Sequence, residues 1–436
     1  MITNSNGAPG PNSTLFRHIF RTLRYRNYRL FFGGQLISLT GTWMQQIAMT
    51  WLVYRLTGSA LLLGIIGFAG QMPSLLLSPF AGVVADRVNR HRLVIATQVL
   101  SMVQASVLAI LTLTGTVSIW QIIILSVFLG FVTAFEIPAR QSFLLEMIEH
   151  KEDLGNAIAV NSSMFNGARL FGPSIAGLVI AAFGEGVCFL LNALSFVAVI
   201  AALLSMKLPA QHKLQESTGM YHGFKEGLAY AFGSAPIRYI LMMIALVSTL
   251  GLQYGILMPI MAKDILSGGP GTLGFLMGAT GVGALAGAVY LASRKTVIGL
   301  TRWIAISAAI FGMGLVAFSL SRNLWLSMSL LFVVGFGMMV QMAASNTILQ
   351  TIADDDKRGR VMSFYTMAFI GMAPIGSLLA GSLAGRFGAP ATLLISGIIC
   401  VVGSLLFVSK IPRLRQEIRP IYMKIGIVAD VPPATG

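Results

Sequence analysis

Gly82-Val-Val-Ala-Asp86-Arg87-Val-Asn-Arg90-His91-Arg92 packs four charges between two long apolar runs, each long enough to cross a bilayer. Between membrane helices this stretch reads as a tight turn in water. Gly82 closes one helix, Asp86 lies in the turn, and Arg87, Arg90 and Arg92 resist being drawn into lipid. Composition agrees: 56% hydrophobic residues, 10% charged residues and a mean hydropathy of +0.79 leave too little polar surface for a soluble globule. The chain is therefore read as an integral membrane protein.

Outward from that turn, apolar runs cover about 28–53, 60–84, 93–114, 118–140, 156–182 and 187–206, then 236–262, 271–293, 302–321, 324–350, 361–385 and 390–409. These are twelve spans, too long and too uniformly apolar for barrel strands, so they are helices. Residues 1–27 form a basic amino-terminal segment with no cleavable signal visible, and 410–436 form a tail. With both termini placed in the cytoplasm, twenty-five of the thirty Lys and Arg fall on the inner side. Arg55, Lys263, Arg322 and Arg386 fall outside and Arg169 lies within a helix. Trp51, Trp120 and Trp325 then stand near outer helix ends, where amphipathic rings prefer to lie. The net charge of +15 is thus spent on orientation, and no nucleic-acid partner is expected.

The interval 207–235 is read as a cytoplasmic linker, its second part an amphipathic surface helix. It separates a bundle at 28–206 from one at 236–409. A shift of 204 residues brings Gly155 onto Gly359, Gly167 onto Gly371, Gly172 onto Gly376 and Ala176-Gly177 onto Ala380-Gly381. One ungapped offset over about fifty positions marks a parallel repeat of two six-helix halves. The second copy of the charged turn has decayed: Gly287 keeps its place, but Leu291 stands where Asp86 would be, leaving Arg294 and Lys295.

The spacing G-x-x-x-D-R-x-x-R-x-R at 82–92 resembles the turn between helices 2 and 3 of the major facilitator superfamily, with Asn89 in place of a second glycine and His91 in place of a base. Asn89 is expected to take the left-handed backbone that glycine would supply. Glu136-Ile-Pro-Ala-Arg140-Gln141, Asn161-Ser-Ser-Met-Phe-Asn166-Gly-Ala-Arg169-Leu-Phe-Gly172-Pro173 and Arg358-Gly-Arg360 resemble the branch holding the enterobactin exporters and related efflux proteins. The resemblance implies the superfamily's fold, with a transport path between the halves. Gly172-Pro173 before Ala176-Gly177 resembles in part the helix 5 signature of the antiporters. That implies a hinge at Gly172 and Pro173; a packing kink is the alternative.

No Cys, His or carboxylate cluster has metal-ligand spacing, and no phosphate-cradling loop is present, so no metal, cofactor, ATP use or enzymatic activity is expected. Cys188 and Cys400 read as small core residues. Candidate substrate contacts are Arg169, Asn166, Asn161, Gln46, Gln253 and Tyr365, each weighed against an interhelical hydrogen bond. Arg169 lies about 20 Å along its helix, near mid-membrane, where an arginine persists only if it faces a wet cavity or is neutralised. Alternatively it braces its own helix against carbonyls freed by Pro173. Glu136 is the acid inside a span and the candidate proton carrier; pairing with Arg140 one turn away is the alternative. Gly82, Asp86, Arg87, Arg90, Arg92 and Arg140 form a candidate conformational latch.

The expectation is a secondary transporter, monomeric, of the bacterial inner membrane. It exports an amphipathic small molecule, a siderophore or drug, in exchange for protons. A lipid or metabolite transporter of the same fold, or a receptor or assembly subunit that never translocates, are the alternatives.

Overall fold

Backbone N–H and C=O groups in hydrocarbon must be bonded within their own segment, and the apolar runs accordingly fold as helices. A computed structural model describes residues 21–148, 150–206, 229–294, 296–354 and 357–427, and no strand occurs among the described residues. In the first half α1 is Arg26–Thr57, α2 Ala60–Arg87, α3 Arg90–Leu113, α4 Ile119–Glu146, α5 Leu154–Phe183 and α6 Glu185–Leu204. In the second, α7 is Ala235–Ile265, α8 Pro270–Ala292, α9 Leu300–Leu320, α10 Leu324–Ile352, α11 Arg358–Phe387 and α12 Ala389–Lys424. Eleven of these pass for membrane spans on length and apolarity. The twelfth, α1, has 32 residues and is the more polar, with Gln35, Ser38 and Gln45 buried along it.

Two helices depart from the uninterrupted spans read from the sequence. In α7 the α-helical stretches alternate with π turns at Val247–Gly251 and Met261–Ile265, and α11 carries one at Met367–Gly371. The Ser248 hydroxyl donates to the Phe369 carbonyl, tying one π turn to the other. The expected linker lies outside the described residues from 207 to 228. At the other end α12 does not stop near 409 but continues to Lys424. Ile411, Leu414, Ile418 and Tyr422 form a buried stripe there, which holds the extension against the protein.

The repeat is visible as packing. A Cβ on Gly172 of α5 would lie 3.1 Å from the Thr40 carbonyl oxygen of α1, and one on Gly376 of α11 would lie 2.3 Å from the Thr249 carbonyl oxygen of α7. The halves join the same way twice: a Cβ on Gly177 would sit 2.7 Å from the Gly274 Cα, joining α5 to α8, and one on Gly381 2.6 Å from the Gly64 Cα, joining α11 to α2. All four glycines lie toward the end of the molecule that carries the α1–α2, α5–α6, α7–α8 and α11–α12 turns. Without a hydrophobic drive between helices in lipid, such close backbone approach is what holds them.

Three expectations are corrected. Gly82 does not close α2, which runs on to Arg87; the turn is only Val88 and Asn89. Asn89 is not left-handed but extended, with φ −63°, because its side-chain oxygen caps α3 by accepting from the Arg92 N–H at 2.9 Å. Trp51 does lie near the end of α1, but its ring is 6% exposed within the core, whereas Trp120 and Trp325, also near helix ends, are 76% and 75% exposed.

Gly381→Ala should cost roughly 1–3 kcal/mol by overpacking. Gly33→Ala, whose methyl would meet nothing within 4 Å, should not. Melting temperatures in detergent test this, and equal melting of the two variants would rule out the glycine contact as a constraint on packing.

Candidate functional site

A cavity of about 220 Å³ lies between the halves, walled by α1 and α5 on one side and by α7, α8 and α10 on the other. Arg169 supplies its charge, and among the described residues no carboxylate lines it. The guanidinium lies 5.8 Å from the centre of the Trp43 ring, and Nη2 reaches Met338 Sδ of α10 at 3.6 Å. Among the described residues, no hydrogen bond from the Arg169 side chain to its own helix is seen. A cation whose neighbours are an aromatic face and a thioether keeps most of its five N–H donors for something else. Gln46 and Asn166 share the wall from the first half, Tyr254 and Thr280 from the second.

Local sequence explains how these side chains come together. Trp43 and Gln46 are three residues apart on α1, as are Asn166 and Arg169 on α5, so each pair lies on one helix face. Gly172 lets α5 press onto α1, since a Cβ there would be 2.5 Å from the Trp43 Cβ. Both Gly172 and Pro173 are buried in one continuous helix, and Pro173, which has no N–H, leaves the Arg169 carbonyl without its usual helical donor.

The start of α5 is fastened to the segment before α1. Asp153, fully buried, accepts from Tyr25 Oη at 2.6 Å, from Arg24 Nη2 at 2.7 Å and from Arg21. Tyr28 Oη donates to the Ala157 carbonyl at 2.9 Å, and Thr22 Oγ1 to Asn156 Oδ1 at 2.9 Å. Nothing in the sequence pattern singled out Asp153, because its partners lie more than 120 residues away.

The remaining candidates do not line this cavity. Gln253 is a fastener of α7 to α11: its Nε2 donates to the Ser248 carbonyl at 3.2 Å and its Oε1 accepts from Ser377 at 3.0 Å. Tyr365 packs against Phe369 with ring centres 6.2 Å apart. Asn161 has its Oδ1 enclosed without a hydrogen-bond partner. Glu136 accepts from Arg140 Nε at 2.6 Å, one helical turn along α4. Of the latch residues, Arg90 bonds Glu146 at 2.9 Å, across α3 and α4, while Arg87 and Arg92 are exposed. The surroundings of Gly82 and the side chain of Asp86 lie outside the described residues.

Some residues of the site were not chosen from the sequence. Trp43 was passed over although its spacing from Gln46 was readable, and Thr280 and Met338 look like ordinary helix residues. A contact between the halves was also missed: Tyr54 Oη donates to Asp264 Oδ2, with Lys263 Nζ 5.5 Å from the centre of the Tyr54 ring, joining α1 to α7.

The hydrogen bond from Tyr25, with Arg21 and Arg24 beside it, holds the Asp153 carboxyl below its ordinary value. A depressed carboxyl contributes stability that is complete above its unfolded value, near 3.9, and is lost as the pH falls through the folded value. Melting temperature should therefore show no loss from this group between pH 8 and 5. Asp153→Asn should lower it throughout that range, and an unchanged melting curve would show that the clamp contributes nothing.

The model of a family described as transmembrane secretion effectors matches residues 18–422. The staphyloferrin A transporter of Staphylococcus aureus is 28% identical over 394 residues, covering 89% of this chain and 98% of that protein. The multidrug efflux pump Tap of Mycolicibacterium fortuitum is 28% identical over 393 residues, covering 87% and 94%. Macrolide efflux protein A of Streptococcus pyogenes is 24% identical over 392 residues, covering 87% and 96%. Among solved structures, a POT family transporter in complex with 5-aminolevulinic acid aligns with a TM-score of 0.72 at 11% identity, over 89% of this chain and 96% of that one. A bacterial homologue of the lysosomal transporter Spinster, inward-facing and unoccupied, aligns with a TM-score of 0.66 at 13% identity, over 92% and 98%. At these identities the structural likenesses speak for the fold alone.

Proposed function

Because the chain belongs to the transmembrane secretion effector family of the major facilitator superfamily, transporters of the efflux type and not enzymes, we propose that it carries amphipathic anions out of the cytoplasm by alternating access, in exchange for protons. The observation that carries the reading is Arg169. A charge near mid-membrane is costly unless water or a counter-ion meets it, and this one opens on a cavity between the halves with no carboxylate in the wall. A substrate carboxylate or other acceptor would match the planar fork of the guanidinium, and Trp43 gives its apolar part a surface. The names of the relatives, a staphyloferrin A transporter and efflux pumps for multiple drugs and macrolides, support a siderophore or drug-like substrate.

In this reading both termini are cytoplasmic, the membrane is the bacterial inner membrane, and the protein works as a monomer without a cofactor. The strong bias of Lys and Arg to one side supports that orientation. The four packed glycines and the Tyr54–Asp264 contact then lie on the outer side, so the cavity is served from the cytoplasm in this state. The charged turn at 82–92, with Asp86 and Arg140, is the latch on the cytoplasmic side that forms when the cavity faces out.

Uptake into inverted membrane vesicles of a panel of acidic and neutral amphipathic compounds, with and without a proton gradient, tests the reading. Arg169→Lys should transport more slowly, and Arg169→Ala should lose at least about tenfold more for acidic than for neutral compounds, about 1.4 kcal/mol of discrimination. Equal losses for both classes would remove Arg169 from the substrate.

Coupling is assigned to Glu136, whose pair with Arg140 holds a carboxyl in the inner part of α4 with its side chain only 15% exposed. Glu136→Gln should bind substrate as the wild type does but accumulate it to the same level whether or not the vesicles carry a pH gradient. A gradient response equal to that of wild type would leave the residue a purely structural partner of Arg140.

A further inference from the structure

The decayed copy of the charged turn, between α8 and α9, has lost its acid but kept a base. Counted from the glycine, Gly287 for Gly82, a shift of 205 rather than 204 puts Leu291 at the position of Asp86, while Arg294 remains. The structure shows what that base does. Its guanidinium lies 5.7 Å from the centre of the Trp303 ring, and Trp303 in turn packs on Tyr290 with ring centres 5.0 Å apart. Nη1 donates to Tyr290 Oη and Nη2 to the Ile298 carbonyl, both at 3.3 Å, the long end for a hydrogen bond. Nε is enclosed and has no acceptor among the described residues.

A cavity of about 140 Å³ opens beside this group, lined by Leu291, Arg294, Thr296, Val297, Leu300 and Thr347. Its wall has a guanidinium and two hydroxyls but no carboxylate. The first turn of α9, which adds Leu300 to the wall, has no side-chain cap and brings the positive end of a helix to the same place. A buried donor without an acceptor is costly, and a charged one more so. In the first half the sequence provides an acid at this position of the turn; in the second half no described residue of the wall provides one.

We propose that the cavity between the α8–α9 turn and α10 is a binding site for a phosphate group, drawn by the charge of Arg294, for which Leu291 supplies no counter-ion. Two sources offer that chemistry. One is an anionic phospholipid headgroup, favoured by position, since the site lies at the ends of two membrane helices beside Val289 and Ile298, which are 62% and 47% exposed and available to an acyl chain. The other is free phosphate in the adjoining water. The site is separate from the cavity around Arg169 and does not depend on what that cavity carries.

The test uses full-length protein in detergent, with melting temperature and native mass spectrometry as readouts. The probes are phosphatidylglycerol, phosphatidylcholine of the same chain length, and inorganic phosphate. Wild type should be stabilised by phosphatidylglycerol over phosphatidylcholine and retain it as an adduct; stabilisation by inorganic phosphate as well identifies the site with the soluble ion. Arg294→Gln should weaken the response at least about fivefold. Leu291→Asp, which rebuilds the acid of the first half and leaves Arg294 in place, should abolish the response while melting no lower than wild type without ligand. A wild type that responds to neither anion, or a response that survives in both variants, overturns the proposal.

Discussion

In hydrocarbon, apolar side chains gain nothing by leaving lipid for one another, so two helix bundles can be held together only where backbones come close enough for dense packing and weak polar contact. Here that constraint is met by glycine facing glycine: Gly177 against Gly274 and Gly64 against Gly381. Everything else about the arrangement depends on these crossings. They fix α5 beside α8 and α2 beside α11, and so bring α1, α5, α7, α8 and α10 around a shared space. The contacts are concentrated toward one end of the helices, which leaves the middle free to be a cavity.

That cavity explains why an arginine is tolerated on α5. Arg169 has no acid in the cavity wall to neutralise it; it is accommodated by an aromatic face, a sulfur and open volume. A structural ion pair would have given it a carboxylate acceptor, as Arg140 has in Glu136 and Arg24 in Asp153. The contrast between paired and unpaired bases separates the ones that brace helices from the one facing the space between the halves.

Much of the frame was readable from sequence because lipid imposes a single length scale on every span and glycine spacing repeats at an offset of 204. Arg169, Asn166 and Gln46 were readable for the same reason: polar residues in the middle of a span must face something other than lipid. What escaped was set by contacts between distant segments. Gln253 carries the same polar signal as Gln46 but spends it on Ser248 and Ser377, and no local pattern distinguishes the two. The position of the turn at Val88 and Asn89 depended on a cap from the Asn89 side chain, which removed the need for a left-handed residue. The π turns of α7 and α11 left no trace in hydropathy, since one extra residue per turn does not change an apolar run.

The repeat and its failures carry different information. Where the halves match, as at Gly172 and Gly376, the residues set helix approach. Where they diverge, one half has a property the other lacks. The shift of 204 places Arg169 on Ala373, Asn166 on Ile370 and Pro173 on Ser377, so the charge of the cavity belongs to the first half alone. The described π turns, by contrast, all belong to the second, and the one at Val247–Gly251 comes just before Leu252 and Tyr254, which line the wall opposite Arg169. An arginine at the corresponding position of the second half would sit on α11, which contributes no residue to the cavity wall among the described residues. The wall therefore holds a single cation from the first half, with a tyrosine and a threonine from the second. Under the proposed function, a space so arranged suits a ligand that is itself asymmetric, with an acceptor at one end and an apolar body at the other.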